Sequence, residues 1–258
     1  MPTPRRDDWY RAAFGPLVEV AYGHRGPFEA NVQLQSLTRV LGWPPGGGPE
    51  QGQSPLALDA GCGAGRHLGA LLGAGFRSVG VDLSAARLAQ ARRRRPTASL
   101  VRSDLRRLPL APGRVDLVLS LFSSFGYHGE DGDLAVLAEL ARVLRPGGSL
   151  VLDLPDPDDT AARLVPRSVR RVGGLTLREG RRLAGGSTVV KRVRIERGRD
   201  PVAAWVERLR LYTWDEISRR LAASGFDEAR LIETRTLPGF GPGRLLVVAR
   251  SAGPRQAL

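Results

Sequence analysis

Hydrophobic and polar positions follow two different periods along this chain, and the clearest succession of elements lies in its middle. Short apolar runs that predict strands occur at 55–60, 77–82, 97–102, 115–121 and 148–153. Between them, apolar residues recur every three or four positions and predict helices at 65–74, 84–94 and 131–144. Short apolar strands that alternate with helices indicate a parallel sheet covered on both faces.

The segment before this core is helical in pattern. Residues 7–41 predict two helices separated by a break at 24–28. The following loop, up to residue 54, is too rich in glycine and proline for a helix or strand. We therefore expect a helical cap and linker over residues 1–53.

The pattern changes after Asp153. Residues 167–212 alternate between apolar and polar positions, with glycine-rich turns, and predict antiparallel strands. Thr213–Glu216 predicts a capping box that begins a helix ending near Ser224. Segments 227–236 and 244–250 predict a closing antiparallel hairpin.

The predicted fold class is α/β, with a Rossmann-like sheet of seven mostly parallel strands. The predicted core comprises residues 54–160 and 213–258, and an antiparallel β lobe is inserted at 161–212.

Composition narrows the class of protein. No apolar run reaches the roughly 20 residues of a membrane span, and the N-terminal residues lack the apolar stretch of a signal peptide. Cys62 is the one cysteine, so no internal disulfide forms, and with three histidines we expect no metal cluster. These features predict a cytoplasmic protein with no membrane partner.

The net charge of +13 comes almost entirely from arginine, since Lys191 is the one lysine. This charge permits an anionic partner such as RNA. The basic run 92–95 falls at the end of a predicted helix, where cations meet the negative end of the helix dipole. That interpretation is favoured over a nucleic-acid contact.

The most informative stretch is Leu56–Gly65. An apolar strand bearing Asp59 runs into a turn with glycines at 61, 63 and 65, and the next strand ends in Asp82. Such a unit binds a ribosyl cofactor at the strand ends. A dinucleotide site would have its third glycine at 66, where Arg66 stands, and Asp59 would repel a pyrophosphate. A carboxylate suits the ammonium group of S-adenosylmethionine, and Asp82 suits both ribose hydroxyls. The alternatives are a nicotinamide-binding unit or a plain αβ loop.

Four segments of the chain resemble motifs of the class I S-adenosylmethionine-dependent methyltransferases, namely Leu58–Arg66, Gly80–Ser84, Ser103–Leu105 and Leu144–Asp153. The resemblance covers about 54–153 and 209–250. It implies S-adenosyl-L-methionine as the cofactor, S-adenosyl-L-homocysteine as its product, and an adenine contact from Asp104.

Asp59, Asp82, Asp104 and Ser120 all fall at predicted strand ends and should converge on one edge of the sheet. The candidate cofactor-binding residues are Asp59, Gly61, Cys62, Gly63, Gly65, Arg66, Asp82, Leu83, Ser103, Asp104, Leu105, Ser120, Leu121 and Phe122, with Tyr10 and Tyr22 from the N-terminal helix. Arg66 is a candidate for the carboxylate of the cofactor.

Methyl transfer from a sulfonium needs mainly alignment and exclusion of water. The fourth strand lacks the Asn/Asp-Pro-Pro-aromatic motif of enzymes that methylate base or glutamine amino groups, and Cys62 lies in the cofactor turn, which disfavours a cysteine nucleophile. Phe122–His128 resembles a small-molecule subgroup with a Ser-Phe-Gly-Tyr turn and an inserted β lobe, several members of which methylate amines. In that subgroup an aromatic N-terminal helix closes over the cofactor.

The candidate catalytic residues are His128, Tyr127 and Tyr10. His128 could accept the proton of the methyl acceptor, or it is a solvated loop histidine. Tyr10 could equally be a packing residue of its helix.

Three hypotheses remain open. The favoured one is a methyltransferase that acts on N or O of a small molecule, as a monomer or homodimer. The second is an RNA- or ribosome-directed methyltransferase that uses the arginine-rich lobe, and a nucleic-acid partner is therefore open but not favoured. The third is an S-adenosylmethionine-binding protein without transferase activity.

Overall fold

The computed structural model describes Leu17, Val20 and residues 27–43 and 54–253. None of the helices in these ranges has the length and apolar character that a membrane crossing needs. Tyr10 and Tyr22, and with them most of the first predicted helix, lie outside the described residues.

The second predicted N-terminal helix is confirmed as α1 (Pro27–Leu41). Its inward side buries Leu34, Leu37 and Leu41 at helical spacing against the core sheet. Gln33 Nε2 also donates to the Gly239 carbonyl at 2.8 Å, which joins the helix to the C-terminal part of the core.

The elements of the first core segment follow the predicted order. They are β1 (Leu56–Ala60), α2 (Leu68–Gly73), β2 (Arg77–Asp82), α3 (Ala85–Arg94), β3 (Ser99–Arg102), β4 (Val115–Ser120), α4 (Gly129–Val143) and β5 (Leu144–Pro155). The main difference is the start of α2, predicted at residue 65. Gly61, Gly63 and Gly65 all have positive φ angles, so the helix begins only after the turn that they form.

The elements of the second segment are α5 (Pro157–Arg163), β6 (Arg167–Val172), β7 (Leu175–Ala184), β8 (Thr188–Arg197), β9 (Asp200–Arg210), α6 (Trp214–Ala223), β10 (Phe226–Ile232) and β11 (Arg244–Ser251). The exit from β5, predicted as turns, forms the short helix α5, because Asp156 caps it and Pro157 suits its first turn. The predicted capping box of Thr213 and Glu216 is confirmed at the start of α6.

The core sheet has seven strands in the order β10-β11-β5-β4-β1-β2-β3. The five neighbouring strands β3, β2, β1, β4 and β5 pair in parallel, whereas β11 is antiparallel to both β5 and β10. Strand order reverses between β1 and β4, so the carboxyl ends of β1, β2 and β4 border one crevice. The predicted α/β fold class is confirmed.

The strands β6 to β9 form a separate four-stranded antiparallel sheet, called the lobe below. Its inner face buries Leu177, Val193, Ile195 and Trp205, and Leu83 and Tyr127 of the core pack against this cluster. Its outer face carries exposed arginines, among them Arg171, Arg178, Arg192 and Arg194. The domain boundaries at 53, 160 and 212 stay a prediction.

Candidate active site

The turn between β1 and α2 presents backbone rather than side chains at the sheet edge. Gly61 has a φ of 81°, which is strained for residues with a Cβ atom. The Gly61 and Cys62 amides donate to the Val81 carbonyl at 2.8 and 3.0 Å and fix the turn against β2. A Cβ on Gly61 would lie 2.6 Å from Ser124 Oγ. The close packing of the turn against Ser124 therefore requires glycine at residue 61.

Gly65 has a different role from the one predicted. A Cβ at this position would lie 3.0 Å from the Ala91 Cβ of α3. Gly65 is absent from the lining of the cavity described below. The third glycine therefore lets the turn pack closely against a helix.

Asp59 lies within β1 and is 2% exposed. Its Oδ2 finds no hydrogen-bond partner among the described residues. Burial raises the pKa of Asp59 to about 7, because nearby Arg66 offsets the loss of hydration only in part and Asp82 adds to it. A buried carboxylate oxygen of this kind is suited to a ligand that brings its own positive charge or donor.

Asp82 ends β2 with both oxygens held by backbone. Gly63 N donates to Oδ2 and Ser84 N to Oδ1, each at 2.8 Å. Burial raises the pKa of Asp82, and these amides oppose that shift. Each carboxylate oxygen has more than one acceptor site, so both can accept further hydrogen bonds from a diol.

The segment Ser103–Leu105, which follows β3, lines the same crevice. Arg106 grips Asp104 in a fork, with Nε 3.0 Å from Oδ1 and Nη2 2.7 Å from Oδ2. Hydrogen bonding to this guanidinium lowers the pKa of Asp104 despite partial burial. The family resemblance implies that Asp104 contacts the adenine amine, and the structure adds Arg106 as a second partner of this carboxylate.

The turn after β4 is strained. Phe122 and Ser123 have φ angles of 55° and 57°, which side-chain-bearing residues adopt only at a cost. Asp153 of β5 holds the turn, since its Oδ2 accepts from Phe122 N at 3.0 Å. Arg244 of β11 donates to Asp153 Oδ1 at 2.6 Å and to Ser123 Oγ at 3.2 Å. The ion pair between buried Asp153 and partly buried Arg244 thus fixes the position of Phe122 on the cavity wall.

Arg66 lines the cavity, but its guanidinium group also contacts other side chains of the protein. Its Nη1 donates to Glu29 Oε2 of α1 at 2.9 Å, and its guanidinium carbon lies 3.8 Å from the Phe122 ring centroid. Next to it, His67 Nε2 lies 3.0 Å from Gln33 Oε1. These contacts hold α1 against the glycine turn. Arg66 therefore has a structural role in addition to the predicted contact with the cofactor carboxylate.

Tyr127 and His128 both line the cavity. Burial, and then the charge of Glu207, raise the pKa of Tyr127, which keeps its phenol protonated. His128 precedes α4, and its backbone N donates to Asp133 Oδ1 at 3.1 Å. Burial and the charge of Arg106 lower the pKa of His128, so its imidazole is neutral near pH 7.

The lobe supplies Lys191, Glu207 and Leu209 to the cavity, and sequence reasoning missed all three. Trp205 Nε1 donates to Glu207 Oε1 at 2.7 Å. Lys191 Nζ lies 2.9 Å from Glu179 Oε1 and 3.4 Å from Glu207 Oε2. A usable signal was present: Glu207 stands two residues from both Trp205 and Leu209, which places an acid on an apolar strand face.

These residues enclose one cavity of about 440 Å³ between the sheet edge and the lobe. The predicted residues that line it are Asp59, Gly61, Cys62, Gly63, Arg66, Asp82, Leu83, Ser103, Asp104, Leu105, Leu121, Phe122, Tyr127 and His128. Ser120 does not line it and is 1% exposed within the sheet. Tyr10 and Tyr22 lie outside the described residues.

Known proteins identify the family. A family model described as a methyltransferase domain matches residues 57–148. The dTDP-3-amino-3,6-dideoxy-alpha-D-glucopyranose N,N-dimethyltransferase of Streptomyces fradiae is 31% identical over 198 residues, which cover 72% of this chain and 73% of that protein. The chain belongs to the class I S-adenosylmethionine-dependent methyltransferases.

Two further comparisons show the breadth of this methyltransferase family. The crystal structure of Streptomyces venezuelae DesVI has a TM-score of 0.65 and 26% identity, covering 90% of this chain and 96% of DesVI. A putative 23S rRNA (guanine-N(1)-)-methyltransferase of Micromonospora griseorubida is 34% identical over 57% of this chain and 47% of that relative. The chain spans 30% and 38% of the length of two other curated relatives.

S-adenosylmethionine, the cofactor of this methyltransferase family, fits the residues present. The buried Oδ2 of Asp59 suits an ammonium group. Gly61 and Gly63 line the cavity beside the carboxylate of Asp82, an arrangement that suits a ribose-bearing ligand.

Proposed function

We propose that this protein transfers a methyl group from S-adenosylmethionine to a nitrogen or oxygen atom of a small molecule. The supporting observation is that a single cavity joins Asp59 and Asp82 at the sheet edge to Lys191 and Glu207 of the lobe. Its volume of about 440 Å³ lies within the range of small-molecule sites. A donor at the sheet edge and an acceptor beside the lobe would therefore share one cavity.

In this proposal residues at the sheet edge would hold the cofactor. Asp59 would bind its amino group, Asp82 would accept hydrogen bonds from both ribose hydroxyls, and Ser103–Leu105 would contact the adenine. Arg106 already holds the carboxylate of Asp104 in place. Asp104 would therefore offer the exocyclic amine of the adenine an acceptor with a fixed position.

Bound S-adenosylmethionine supplies a methyl group activated by a positively charged sulfur. The protein residues align the acceptor and keep water out. Phe122 holds a fixed place on the wall because Asp153 and Arg244 restrain its turn. The lowered pKa of His128 leaves a neutral imidazole that can take up the proton the acceptor releases.

A second candidate is methylation of RNA. It is favoured by the 34% identity to the putative rRNA methyltransferase and by the exposed arginines of the lobe. However, Arg178 and Arg194 lie on the outer face of the lobe sheet, whereas Lys191 and Glu207 of the opposite face line the cavity. A phosphate backbone held by those arginines would lie on the far side of the sheet from the cavity.

Binding and turnover test the proposal in two steps. Calorimetry should show micromolar binding of S-adenosylmethionine and S-adenosylhomocysteine, with NAD and NADP as controls. Release of S-adenosylhomocysteine is then measured over a panel of amines, alcohols and RNA.

The outcomes separate the candidates. Methylation of small molecules supports the proposal, whereas methylation of RNA alone supports the second candidate instead. Cofactor binding with no turnover over the whole panel favours a protein without transferase activity. Binding of NAD instead of S-adenosylmethionine would overturn the cofactor assignment.

A further inference from the structure

The outer face of the lobe, which points away from the cavity, carries a dense array of arginines. Strand register places six exposed arginines on this face, two on each of three strands: Arg167 and Arg171 on β6, Arg178 and Arg182 on β7, and Arg192 and Arg194 on β8. In the lobe, whose strands are all described, Glu196 is the one acid at a paired position of this face, and its Oε2 lies 2.9 Å from Arg178 Nε. The face therefore has a large excess of positive charge.

These arginines repel one another across the strands. Arg178 lies directly opposite Arg194 in the register of β7 and β8, and like charges at opposed positions destabilise a sheet. The side chains of Arg182, Arg192 and Arg194 form no ion pair with any described residue. Charged side chains on an edge strand prevent it from pairing with other chains, but β7 and β8 are the two inner strands of the lobe sheet. A bound anion would relieve this repulsion, whereas protection of a sheet edge does not account for it.

The other side chains of this face narrow the class of anion. Its paired positions hold no aromatic residue, leucine, isoleucine or methionine, and the largest apolar side chains that they expose are those of Val169 and Val206. Stacking on unpaired bases needs aromatic side chains, insertion into a membrane surface needs large apolar ones, and protein interfaces are anchored by residues such as tryptophan and tyrosine. This face offers guanidinium groups instead, which bind phosphate in a fork geometry.

The spacing of the arginines suits a repeating anion. Arg192 and Arg194 are two residues apart on β8, which corresponds to about 7 Å along a strand. Arg178 and Arg182 extend the array on the neighbouring strand β7, about 5 Å away. A nucleic-acid duplex carries a negative charge about every 1.7 Å of its axis, so one duplex can meet several of these arginines at once.

We propose that the outer face of the lobe binds the phosphate backbone of a nucleic-acid duplex without reading its sequence. Lys191 and Glu207 of the opposite face line the cavity, so the bound duplex lies outside the active site and is not the methyl acceptor. The inference therefore goes beyond the proposed function, because it gives the lobe a second role on the face that the cavity does not use. Such a contact releases counterions, and hence its affinity falls with salt in proportion to the number of phosphates bound.

The test uses the full-length chain and a labelled duplex of about 20 base pairs, as DNA and as RNA, with Kd measured by fluorescence anisotropy between about 50 and 200 mM salt. The outer-face triple variant combines Arg178→Gln, Arg192→Gln and Arg194→Gln. It should reduce the slope of log K against log salt by about 2 to 3 and weaken binding about 10- to 100-fold at intermediate salt. The Kd of S-adenosylhomocysteine should not change, because these three side chains do not line the cavity.

A matched control separates this face from the net charge of +13. The core triple variant removes the same number of charges at exposed positions outside the lobe, namely Arg93→Gln, Arg114→Gln and Arg235→Gln. It should keep the salt slope within about 1 of the wild type and the Kd within about threefold. Glu196→Gln removes the one acid of the face and should tighten binding about 3- to 10-fold, which also covers the case in which the outer-face triple variant does not fold.

The inference and the proposed function fail in different ways. Equal losses of affinity in the two triple variants, or an unchanged Kd in Glu196→Gln, would each overturn the inference. Tighter binding of the outer face to vesicles of phosphatidylglycerol or to polyglutamate than to the duplex would overturn it as well. Release of S-adenosylhomocysteine with the duplex as sole acceptor would show that the duplex reaches the active site, again against the inference. Absence of S-adenosylmethionine binding by the wild type would overturn the proposed function instead.

Discussion

The two walls of the cavity are built in different ways. The cofactor wall is formed by Asp59, Gly61, Gly63, Asp82 and the segment 103–105, and it depends on backbone amides and a glycine turn. In this wall the Gly63 amide donates to Asp82, which lies 19 residues later in the chain. The lobe wall, formed by Lys191, Glu207 and Leu209, depends on ion pairs between side chains of three strands. The conformation of a glycine turn therefore specifies the first wall, whereas the pairing register of consecutive hairpins specifies the second.

Because the two walls are built differently, we expect substitutions in them to have different effects on binding and stability. Substitutions in the cofactor wall should change the affinity for the cofactor and leave the lobe folded. Substitutions in the lobe wall should change stability or acceptor binding and leave cofactor affinity intact. Any residue that changes both would show that the walls are coupled.

The largest effect is expected for Asp82→Ala. This change removes the carboxylate that holds Gly63 N and Ser84 N and that we propose binds both ribose hydroxyls. Calorimetry should show that binding of S-adenosylhomocysteine weakens by about 2–4 kcal/mol, because charged hydrogen bonds are lost. Asp200→Ala, at an exposed position of the lobe, is the control. Near-normal affinity in folded Asp82→Ala would refute the assignment of the cofactor wall.

The next effect is a pH dependence from Asp59. Its raised pKa of about 7 means that the free protein carries a proton on this carboxyl below that pH. A ligand ammonium needs the ionised form, so the affinity for S-adenosylhomocysteine should fall about tenfold per unit as pH drops from about 7 to 5, and should be flat between about 7 and 8. Asp59→Asn should bind more weakly and lose this slope. An unchanged slope in the variant would assign the titration to another group.

The same difference explains what the sequence could predict of the fold. The core strands were predictable because strands buried on both faces form continuous apolar runs, and the capping box at Thr213 is a local signal. Helix α5 was missed because aspartate and proline, here Asp156 and Pro157, are typical of turns as well as of helix starts. The alternating pattern and glycine turns predict the hairpins of the lobe, but they do not show which face of its sheet meets the core.

The candidate site divides in the same way. Asp59 and Asp82 were found because a strand, a turn and an acid lie together in the sequence. Lys191 and Arg244 were missed because only tertiary packing brings them to the cavity, whereas the one signal for Glu207, an acid on an apolar strand face, does not say what that face meets. Ser120 ends a strand as predicted, but it is buried within the sheet, and the next residues, Leu121 and Phe122, line the cavity instead.

A smaller effect is expected for Trp205→Phe in the lobe wall. The change keeps most of the apolar volume and removes the donor to Glu207 Oε1. Denaturant unfolding should show a loss of about 1–3 kcal/mol, because a buried carboxylate loses a hydrogen bond. The Kd of S-adenosylhomocysteine should not change. Trp214→Phe, at a partly buried position in the first turn of α6, is the matched control. A large loss of cofactor affinity in Trp205→Phe would contradict the independence of the two walls.

The smallest effect is expected for Thr213→Ala, at the point where the chain returns from the lobe to the core. Thr213 Oγ1 accepts from Glu216 N at 3.2 Å, and Glu216 in turn accepts from Thr213 N and pairs with Arg210 of β9. Removing the cap should lower the free energy of unfolding by about 1 kcal/mol. Because the Arg210–Glu216 pair remains, cofactor affinity and acceptor KM should stay at wild-type values. Ser218→Ala, one turn later in α6, should have no destabilising effect. If Thr213→Ala raised the acceptor KM, the start of α6 would have to be counted as part of the lobe wall.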